Sequence, residues 1–296
     1  MKESPNIPAL YLPLWWLLKG LSLLPLSALY AIGYGLYLLI YRVVGYRKKV
    51  VLQNLRNSFP ERSEAEIQGI AKAFYRQFVD VVVEIVKLTT ISPSEMRQRV
   101  TFYNPEVLEQ FVQAGKPVII LGSHVGNWEW CLSAASLRFN FPAEGVYRPL
   151  KNPFFEEYMI HIRSRLGARL IKMKDTMRDF IRHRQVPRVV ALLSDQTPPY
   201  GEIQHWTTFL HQDTPFFVGA EKLANSFGYP VLYLDVRRLK RGHYELAFEV
   251  LTDGTHAVNE GVYPITDAFA QKLEATLQRN PADYLWTHKR WKHKRV

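Results

Sequence analysis

A histidine and a glutamate five positions apart are the residues of this sequence best suited to catalysis. They are His124 and Glu129, within the stretch VIILGSHVGNWEWC at residues 118–131. A carboxylate that binds one imidazole nitrogen fixes the tautomer and makes the other nitrogen more basic. That nitrogen can then take a proton from a hydroxyl, which makes an alcohol nucleophilic without a covalent enzyme intermediate.

The backbone must change direction between these two residues for their side chains to meet. On one regular helix, a spacing of five residues separates two side chains by roughly 140°. Residues 118–121 are a continuous apolar run typical of a buried strand, Gly122 and Gly126 indicate a tight turn, and helical sequence resumes near Trp128. We therefore expect His124 on a turn at the carboxyl end of a strand, where α/β folds gather catalytic groups, with the glutamate on the next helix.

Other catalytic patterns fit less well. The sequence has no pair of histidines at i and i+4, which a metalloprotease helix needs, and neither a Walker loop nor a G-x-G-x-x-G loop. Ser123 stands one place too early for the Gly-x-Ser-x-Gly nucleophile elbow, so a covalent serine is a minor hypothesis. The single cysteine excludes an internal disulfide, a cysteine zinc ribbon and an iron–sulfur cluster. A plain turn histidine beside a solvated glutamate remains the non-catalytic alternative.

The rest of the chain alternates between strand and helix patterns. A capping box at Ser63 and Glu66 and helical spacing of apolar residues predict a long helix over residues 62–89. Further helices are predicted at 105–114, 153–165, 175–184, 216–227 and 264–278, and further strands at 145–147, 169–171, 189–193, 231–237 and 244–251. The last two strands form an antiparallel hairpin at one edge. The predicted fold class is therefore α/β, with a mixed central sheet flanked by helices.

An apolar segment precedes this domain. Residues 20–41 carry no charge, and a membrane-spanning helix needs about 20 such residues. The basic residues within 42–49 outnumber those before the segment, so the positive-inside bias puts the bulk of the protein in the cytoplasm. Pro25 interrupts the pattern, so a helix that lies in the membrane interface is the alternative. We expect a membrane anchor at residues 1–49, single-pass or peripheral, and one cytoplasmic catalytic domain at residues 50–296.

The charge balance suggests a polyanionic partner. Lys and Arg number 38 against 27 Asp and Glu, which gives a net charge of +11. An anionic membrane, a phosphorylated lipid, an acidic protein and nucleic acid all fit this surplus. The tail at residues 286–296 combines two Trp with five Lys or Arg and suits anionic lipid. Nucleic-acid binding requires neither the apolar segment nor a strand-end His–Glu pair, so we expect no nucleic-acid partner.

Several motifs, in this order along the chain, resemble the lipid A late acyltransferases of the lysophospholipid acyltransferase superfamily. They follow an N-terminal membrane helix with adjacent basic residues. The motifs are NLRNSFP at 54–60, GSHVGNWE at 122–129, YRP at 147–149, DQ at 195–196, TPFFVG at 214–219 and PADYLWTHKRW at 281–291. The resemblance implies a glycerolipid-acyltransferase-like fold.

It also implies an activity. His124 would be the general base and Glu129 its orienting partner. A hydroxyl of a lipid A precursor would attack the thioester of an acyl carrier protein or coenzyme A donor, with no metal and no bound cofactor. This would be a late step of lipopolysaccharide biosynthesis at the inner membrane. The alternatives are another lipid acceptor (a glycolipid, an aminolipid or a lysophospholipid) and, less favoured, a non-catalytic basic protein that binds membrane or nucleic acid.

The resemblance further implies six substrate-binding positions, namely Asn127, Arg148, Asp195, Gln196, Pro215 and Gly219. The guanidinium of Arg148 suits bidentate contact with an acceptor phosphate. Asp195 follows a predicted strand and matches an acidic block of the family, although Asp before two prolines is also a common turn former. Gln196 departs from the residues usual in that block. Pro215 and Gly219 lie where a helix could line an acyl-chain groove or simply pack in the core.

Overall fold

The computed structural model describes residues 7–255 and 261–295, so the first six residues of the predicted anchor and the last residue of the basic tail lie outside it. Its helices are α1 (Leu12–Leu23), α2 (Leu26–Leu38), α3 (Lys48–Ser58), α4 (Glu64–Lys87), α5 (Pro93–Arg99), α6 (Glu106–Gln113), α7 (Trp128–Arg138), α8 (Pro153–Ser164), α9 (Thr176–Arg182), α10 (Gly219–Phe227) and α11 (Pro264–Arg279). Its strands are β1 (Val100–Phe102), β2 (Val118–Gly122), β3 (Ala143–Tyr147), β4 (Arg169–Lys172), β5 (Val189–Leu193), β6 (His205–Phe209), β7 (Gln212–Phe216), β8 (Val231–Lys240) and β9 (His243–Thr252).

Seven strands form one central sheet in the order β1-β9-β8-β2-β5-β3-β4. Strands β8, β2, β5, β3 and β4 run parallel, whereas β9 pairs antiparallel with β8 and parallel with β1. The sheet is therefore mixed, which confirms the predicted fold class. All five residues of β2 are buried. Ile119 and Leu121 belong to the larger apolar core, and Val118 and Ile120 to a second core cluster, as expected for alternating side chains of a central strand.

The long helix α4 begins where its sequence predicts. Ser63 caps it, since the backbone N–H of Glu66 donates to Ser63 Oγ and the backbone N–H of Ser63 donates to Glu66 Oε2 at 2.8 Å. This reciprocal pair satisfies donors that the first helical turn would otherwise leave free.

The N-terminal apolar run is two helices rather than one. Pro25 separates α1 from α2, because a proline has no N–H to donate and pushes the preceding Leu24 into an extended conformation. Helix α2 continues through a π-helical turn, and Leu26–Val44 is the one helix among the described residues that is long and apolar enough to cross a membrane. The predicted span at residues 20–41 is thus shifted towards the C-terminus.

One side of α2 packs on helix α4. A Cβ added at Gly33 would lie 3.3 Å from both Val79 and Val83 of α4, so glycine allows the two helices to approach closely. Tyr30 donates a 2.6 Å hydrogen bond to the buried carboxylate of Glu84. Helices α1 and α2 and the π-helical turn also carry large apolar residues that are exposed. These are Trp16, Leu17, Leu23, Ile32, Tyr34, Leu39 and Val43. The apolar core therefore continues across the predicted boundary at residue 50.

A second, two-stranded sheet replaces part of a predicted helix. Residues 214–216, expected near the start of a helix, lie in β7, which pairs antiparallel with β6. The two strands are joined by Leu210 and His211, both with positive φ, as in the tight turns that favour β-hairpins. Helix α10 accordingly begins at Gly219.

Candidate active site

The pairing of β2 with β5 brings a histidine and an aspartate together. Gly122 and Leu193 are register partners at the carboxyl ends of these neighbouring parallel strands. His124 and Asp195 each lie two residues beyond that pair. His124 Nδ1 lies 2.8 Å from Asp195 Oδ1, and the side chains are 14% and 2% exposed respectively. Asp195, predicted as a substrate-binding residue, thus occupies the place expected for the carboxylate that orients the histidine.

The two groups stabilise each other's charged forms. Burial by itself would lower the pKa of His124, but the charge of Asp195 and its hydrogen bond to the ring outweigh burial and raise that pKa above 6.5. Burial would raise the pKa of Asp195, but the charge and hydrogen bond of His124 outweigh it and hold that pKa below 3.8. Asp195 is therefore an anion that stabilises an imidazolium beside it.

The other ring nitrogen is available for chemistry. With Nδ1 donating to Asp195, Nε2 of His124 accepts from the amide nitrogen of Gln196 at 3.2 Å. The indole of Trp128 contacts the imidazole edge-on, with ring centroids 5.0 Å apart. A substrate hydroxyl would take the place of the Gln196 amide at Nε2, which is the position required of a group that gives up its proton.

Glu129 does not bond to this histidine. The carboxylate instead receives two hydrogen bonds from Arg163 of α8, at 2.7 and 2.6 Å, and one from the indole of Trp128 at 3.1 Å. Helix α7 begins at Trp128, so Glu129 lies in its first turn and faces α8. The expected hydrogen bond between Glu129 and His124 is absent, and Glu129 acts on the ring only through its charge, which raises the pKa of His124 after the larger effects of burial and Asp195.

Sequence reasoning did not identify Arg163. It occupies an ordinary position of a predicted amphipathic helix and belongs to no recognised motif. Only the packing of α8 beside α7 places its guanidinium on a carboxylate that is 7% exposed.

Asn127 holds the turn that carries the histidine. Its Oδ1 accepts from the backbone N–H of Trp130 at 3.1 Å and so caps α7, while its Nδ2 donates to Glu84 at 2.7 Å. Glu84 also accepts from Tyr30 and Tyr244, at 2.6 and 2.8 Å, and burial raises its pKa. Both ends of the Asn127 amide are therefore bound within the protein, and its predicted contact with substrate stays a prediction.

Residues 283–285 of the C-terminal segment hold the same turn in place with two backbone hydrogen bonds. Leu285 N–H donates to the carbonyl of His124 at 3.1 Å, and Gly126 N–H donates to the carbonyl of Asp283 at 2.9 Å. Gly126 has φ of 59°, and a Cβ there would lie 3.0 Å from Val236. The glycine at this position is therefore required both by backbone conformation and by space.

The remaining predicted residues lie outside this hydrogen-bonded group. Arg148 is exposed just after β3 and has no hydrogen bond or ion pair within the described part of the chain. Pro215 is buried in β7, and its carbonyl accepts from Arg290 at 2.8 Å. Gly219 is exposed at the start of α10, with nothing within 4 Å of an added Cβ. Ser123 Oγ is buried without a partner among the described residues, so no base activates it as a nucleophile.

Fold and site together define a mixed α/β protein with a buried histidine–aspartate pair at the carboxyl edge of its parallel strands. The chain belongs to the bacterial lipid A biosynthesis acyltransferase family, whose model matches residues 6–293.

Individual relatives are distant in sequence. The chain is 25% identical over 302 residues to the lipid A biosynthesis lauroyltransferase of Escherichia coli strain K12, which covers 97% of this chain and 96% of the relative. It is 22% identical over 304 residues to a lipid A biosynthesis acyltransferase of Haemophilus influenzae strain Rd, covering 96% and 93%. The lipid A biosynthesis myristoyltransferase of Escherichia coli strain K12 is 25% identical over 137 residues, or 45% of this chain, and the match spans only 41% of that relative.

Proposed function

We propose that this protein is an O-acyltransferase that moves a fatty acyl chain from a thioester to a hydroxyl of a lipid A precursor. The single observation that carries the proposal is the 2.8 Å contact between His124 Nδ1 and Asp195, because a proton held on Nδ1 leaves Nε2 with the lone pair that a base needs. Membership of the lipid A acyltransferase family supports the choice of acceptor and reaction.

In the proposed reaction, the imidazole of His124 acts as the general base. A hydroxyl of the acceptor displaces the Gln196 amide and transfers its proton to Nε2 of His124, while its oxygen attacks the thioester carbonyl. Asp195 stabilises the imidazolium as it forms. The tetrahedral intermediate then collapses, the carbon–sulfur bond breaks, and the thiolate takes the proton back from Nε2. The products are an ester and a free thiol on the donor, an acyl carrier protein or coenzyme A.

Glu129 and Arg163 act on the imidazole through charge rather than by contact. The carboxylate adds negative charge near the imidazole, and the guanidinium holds that carboxylate with two short hydrogen bonds. Charge-assisted pairs of this kind fix geometry as well as charge. Glu129 therefore supports the base from a distance, and Asp195 supports it by contact.

The acceptor is a membrane lipid, so we propose that the protein acts at the cytoplasmic face of the inner membrane. The exposed apolar side of α1 and α2 supports membrane attachment, and Arg42, Arg47 and Lys48 follow directly. Basic residues near an apolar helix favour the cytoplasmic side of a membrane.

The test is acyl transfer to a labelled tetra-acylated lipid A precursor from a panel of acyl-carrier-protein and acyl-coenzyme A donors. The purified full chain is assayed in detergent beside folded His124→Ala and Asp195→Asn variants. Removal of a general base commonly costs about 10²–10⁴-fold in rate, so His124→Ala should lose nearly all transfer.

The chain offers a matched control. His205 also pairs with an aspartate, Asp267, at 2.7 Å and is similarly buried, but it lies on β6. His205→Ala should keep wild-type activity. Absence of transfer by folded wild type with every donor would refute the lipid A assignment, and a panel of glycolipid, aminolipid and lysophospholipid acceptors would then replace it.

A further inference from the structure

Three arginines gather beside the apolar helix α2, away from the histidine. Arg238 and Arg241 both bind the carboxylate of Asp80, with Arg238 Nη2 at 2.7 Å and Arg241 Nη2 at 2.5 Å. Arg76 lies on the same face of α4 and places its guanidinium over the ring of Tyr37, 5.5 Å from the centroid. These residues line one open cleft of about 440 Å³.

The cluster has more positive charge than its own acid can neutralise. The cleft is lined by three guanidinium groups and one carboxylate, and only Arg238 and Arg241 pair with that carboxylate, Asp80. Arg76 has no hydrogen bond or ion pair to any residue the structure describes. Guanidinium groups with free donors in a cleft are suited to a phosphate, which accepts several charge-assisted hydrogen bonds.

The wall of the cleft indicates a lipid phosphate. Gly33, Tyr34 and Tyr37 of α2 form one side, and the neighbouring Ile32 and Tyr34 are 49% and 52% exposed. Ionised groups are costly at the centre of a bilayer and are accommodated at the level of the headgroups. A cleft with an arginine side and an apolar helix side therefore matches a phosphate whose acyl chains lie along α2.

The cleft adjoins the turn that carries the histidine. Gln77 and Arg238 also line an adjoining, narrower cleft whose other walls include Gly126 and Trp128. Gly126 belongs to the histidine turn, and the Trp128 ring contacts His124. The arginine cluster and the histidine turn are therefore neighbours that share Gln77 and Arg238 as a common wall.

We infer that Arg76, Arg238 and Arg241 bind a phosphate group of the acceptor lipid and so position its hydroxyl near His124. The inference rests on the proposed function for the identity of the acceptor. It assigns the phosphate contact to this cluster rather than to Arg148, which stands alone on the surface after β3.

The test uses the variants Arg76→Gln and Arg76→Gln/Arg241→Gln. Arg76 has no hydrogen bond or ion pair to lose among the described residues, only its contact with the Tyr37 ring, and Arg238 still binds Asp80 in the double variant. Arg178→Gln on α9 is the control, since Arg178 is 78% exposed and its ion pair with Asp175 is long, at 3.8 Å. Acyl transfer is measured at varied concentrations of a bisphosphorylated precursor and of the same precursor after phosphatase treatment.

We expect the acceptor KM to rise about tenfold for each guanidinium removed, as for a hydrogen bond to a charged group. The kcat and the donor KM should stay close to wild type, which would exclude the phosphate of coenzyme A as the ligand. The KM increase should vanish with the dephosphorylated acceptor. Competition by inorganic phosphate alone, without any effect of the lipid phosphate, would overturn the lipid assignment.

A binding experiment tests this inference independently of the proposed function. Labelled bisphosphorylated precursor is bound in detergent by His124→Ala protein, with and without the arginine substitutions. Phosphate-dependent binding that the substitutions remove would uphold the inference even if wild type transfers no acyl chain. Unchanged binding and KM in the double variant, or a full effect from Arg148→Gln alone, would overturn it.

Discussion

The substitution Asp195→Asn tests how the histidine becomes a base. The asparagine keeps the size of the side chain and loses the negative charge. Its amide either accepts from Nδ1 or donates to it, and in the second case Nε2 carries the proton and is no longer a base. A buried hydrogen bond to a charged group is worth about 1.5–3 kcal/mol. If that energy stabilises the imidazolium in the transition state, its loss slows acyl transfer by about 10- to 150-fold where Nδ1 keeps its proton, and by up to about 10⁴-fold where the tautomer is inverted.

The effect of Asp195 on the pKa of His124 determines how the rate of each variant changes with pH. Asp195 raises the pKa of His124 above 6.5, and only the neutral ring can take a proton. Wild-type kcat/KM should therefore rise as pH increases through that raised pKa. In Asp195→Asn the pKa falls, so the rise moves to lower pH and its plateau is lower. The difference from wild type should be largest at alkaline pH and smaller in acid.

The assay is kcat/KM for acyl transfer from mildly acidic to mildly alkaline pH, with folding checked by thermal melting. Glu129→Gln is the comparison, since Glu129 acts on the ring through charge without contact and should move the profile less. A loss of rate that is equal at every pH, with an unmoved profile, would refute this account of Asp195.

Three further substitutions test the surrounding structure. Glu84→Ala leaves three buried donors without an acceptor and should destabilise the protein by about 3–5 kcal/mol in thermal melts, whereas Glu84→Gln should lose less. Arg163→Gln releases Glu129, so kcat should fall about as much as in Glu129→Gln, and the double variant should be no worse than either, as expected for residues that act as one unit. Gly126→Ala should cost about 1–3 kcal/mol of stability from its positive φ and lower kcat, whereas Gly219→Ala, with open space around it, should leave stability unchanged.

Much of the fold could be predicted because its signals are local. The apolar run before His124, the capping box of α4 and the alternation of strands with helices all depend on residues close in sequence. The interruption at Pro25 was predicted, but the apolar span was placed from residue 20 rather than from Leu26, and the β6–β7 hairpin was missing. The hairpin depends on the positive φ of Leu210 and His211, which the surrounding composition does not reveal.

The site was only partly predictable because its key contact is between distant segments. His124 was identified by its own strand and turn, but its partner depends on β2 lying beside β5, and the order of strands in a sheet cannot be read from one sequence. The signal for Asp195 was present, since it follows its strand by the same two residues as His124. Arg163 offered no comparable signal, because nothing in its helix distinguishes it from a solvated arginine.

The shared core of α2 and α4 has a practical consequence. A membrane enzyme with a separate anchor is often made soluble by deleting the anchor, and the predicted boundary at residue 50 invites that deletion. Here it would remove the hydrogen bond from Tyr30 to Glu84 and expose Val79 and Val83 to solvent. The remaining chain would have an exposed apolar surface on α4, and Glu84, which binds Asn127 of the histidine turn, would lose one of its partners. Expression trials should therefore keep the N-terminal helices and extract the whole chain with a mild detergent.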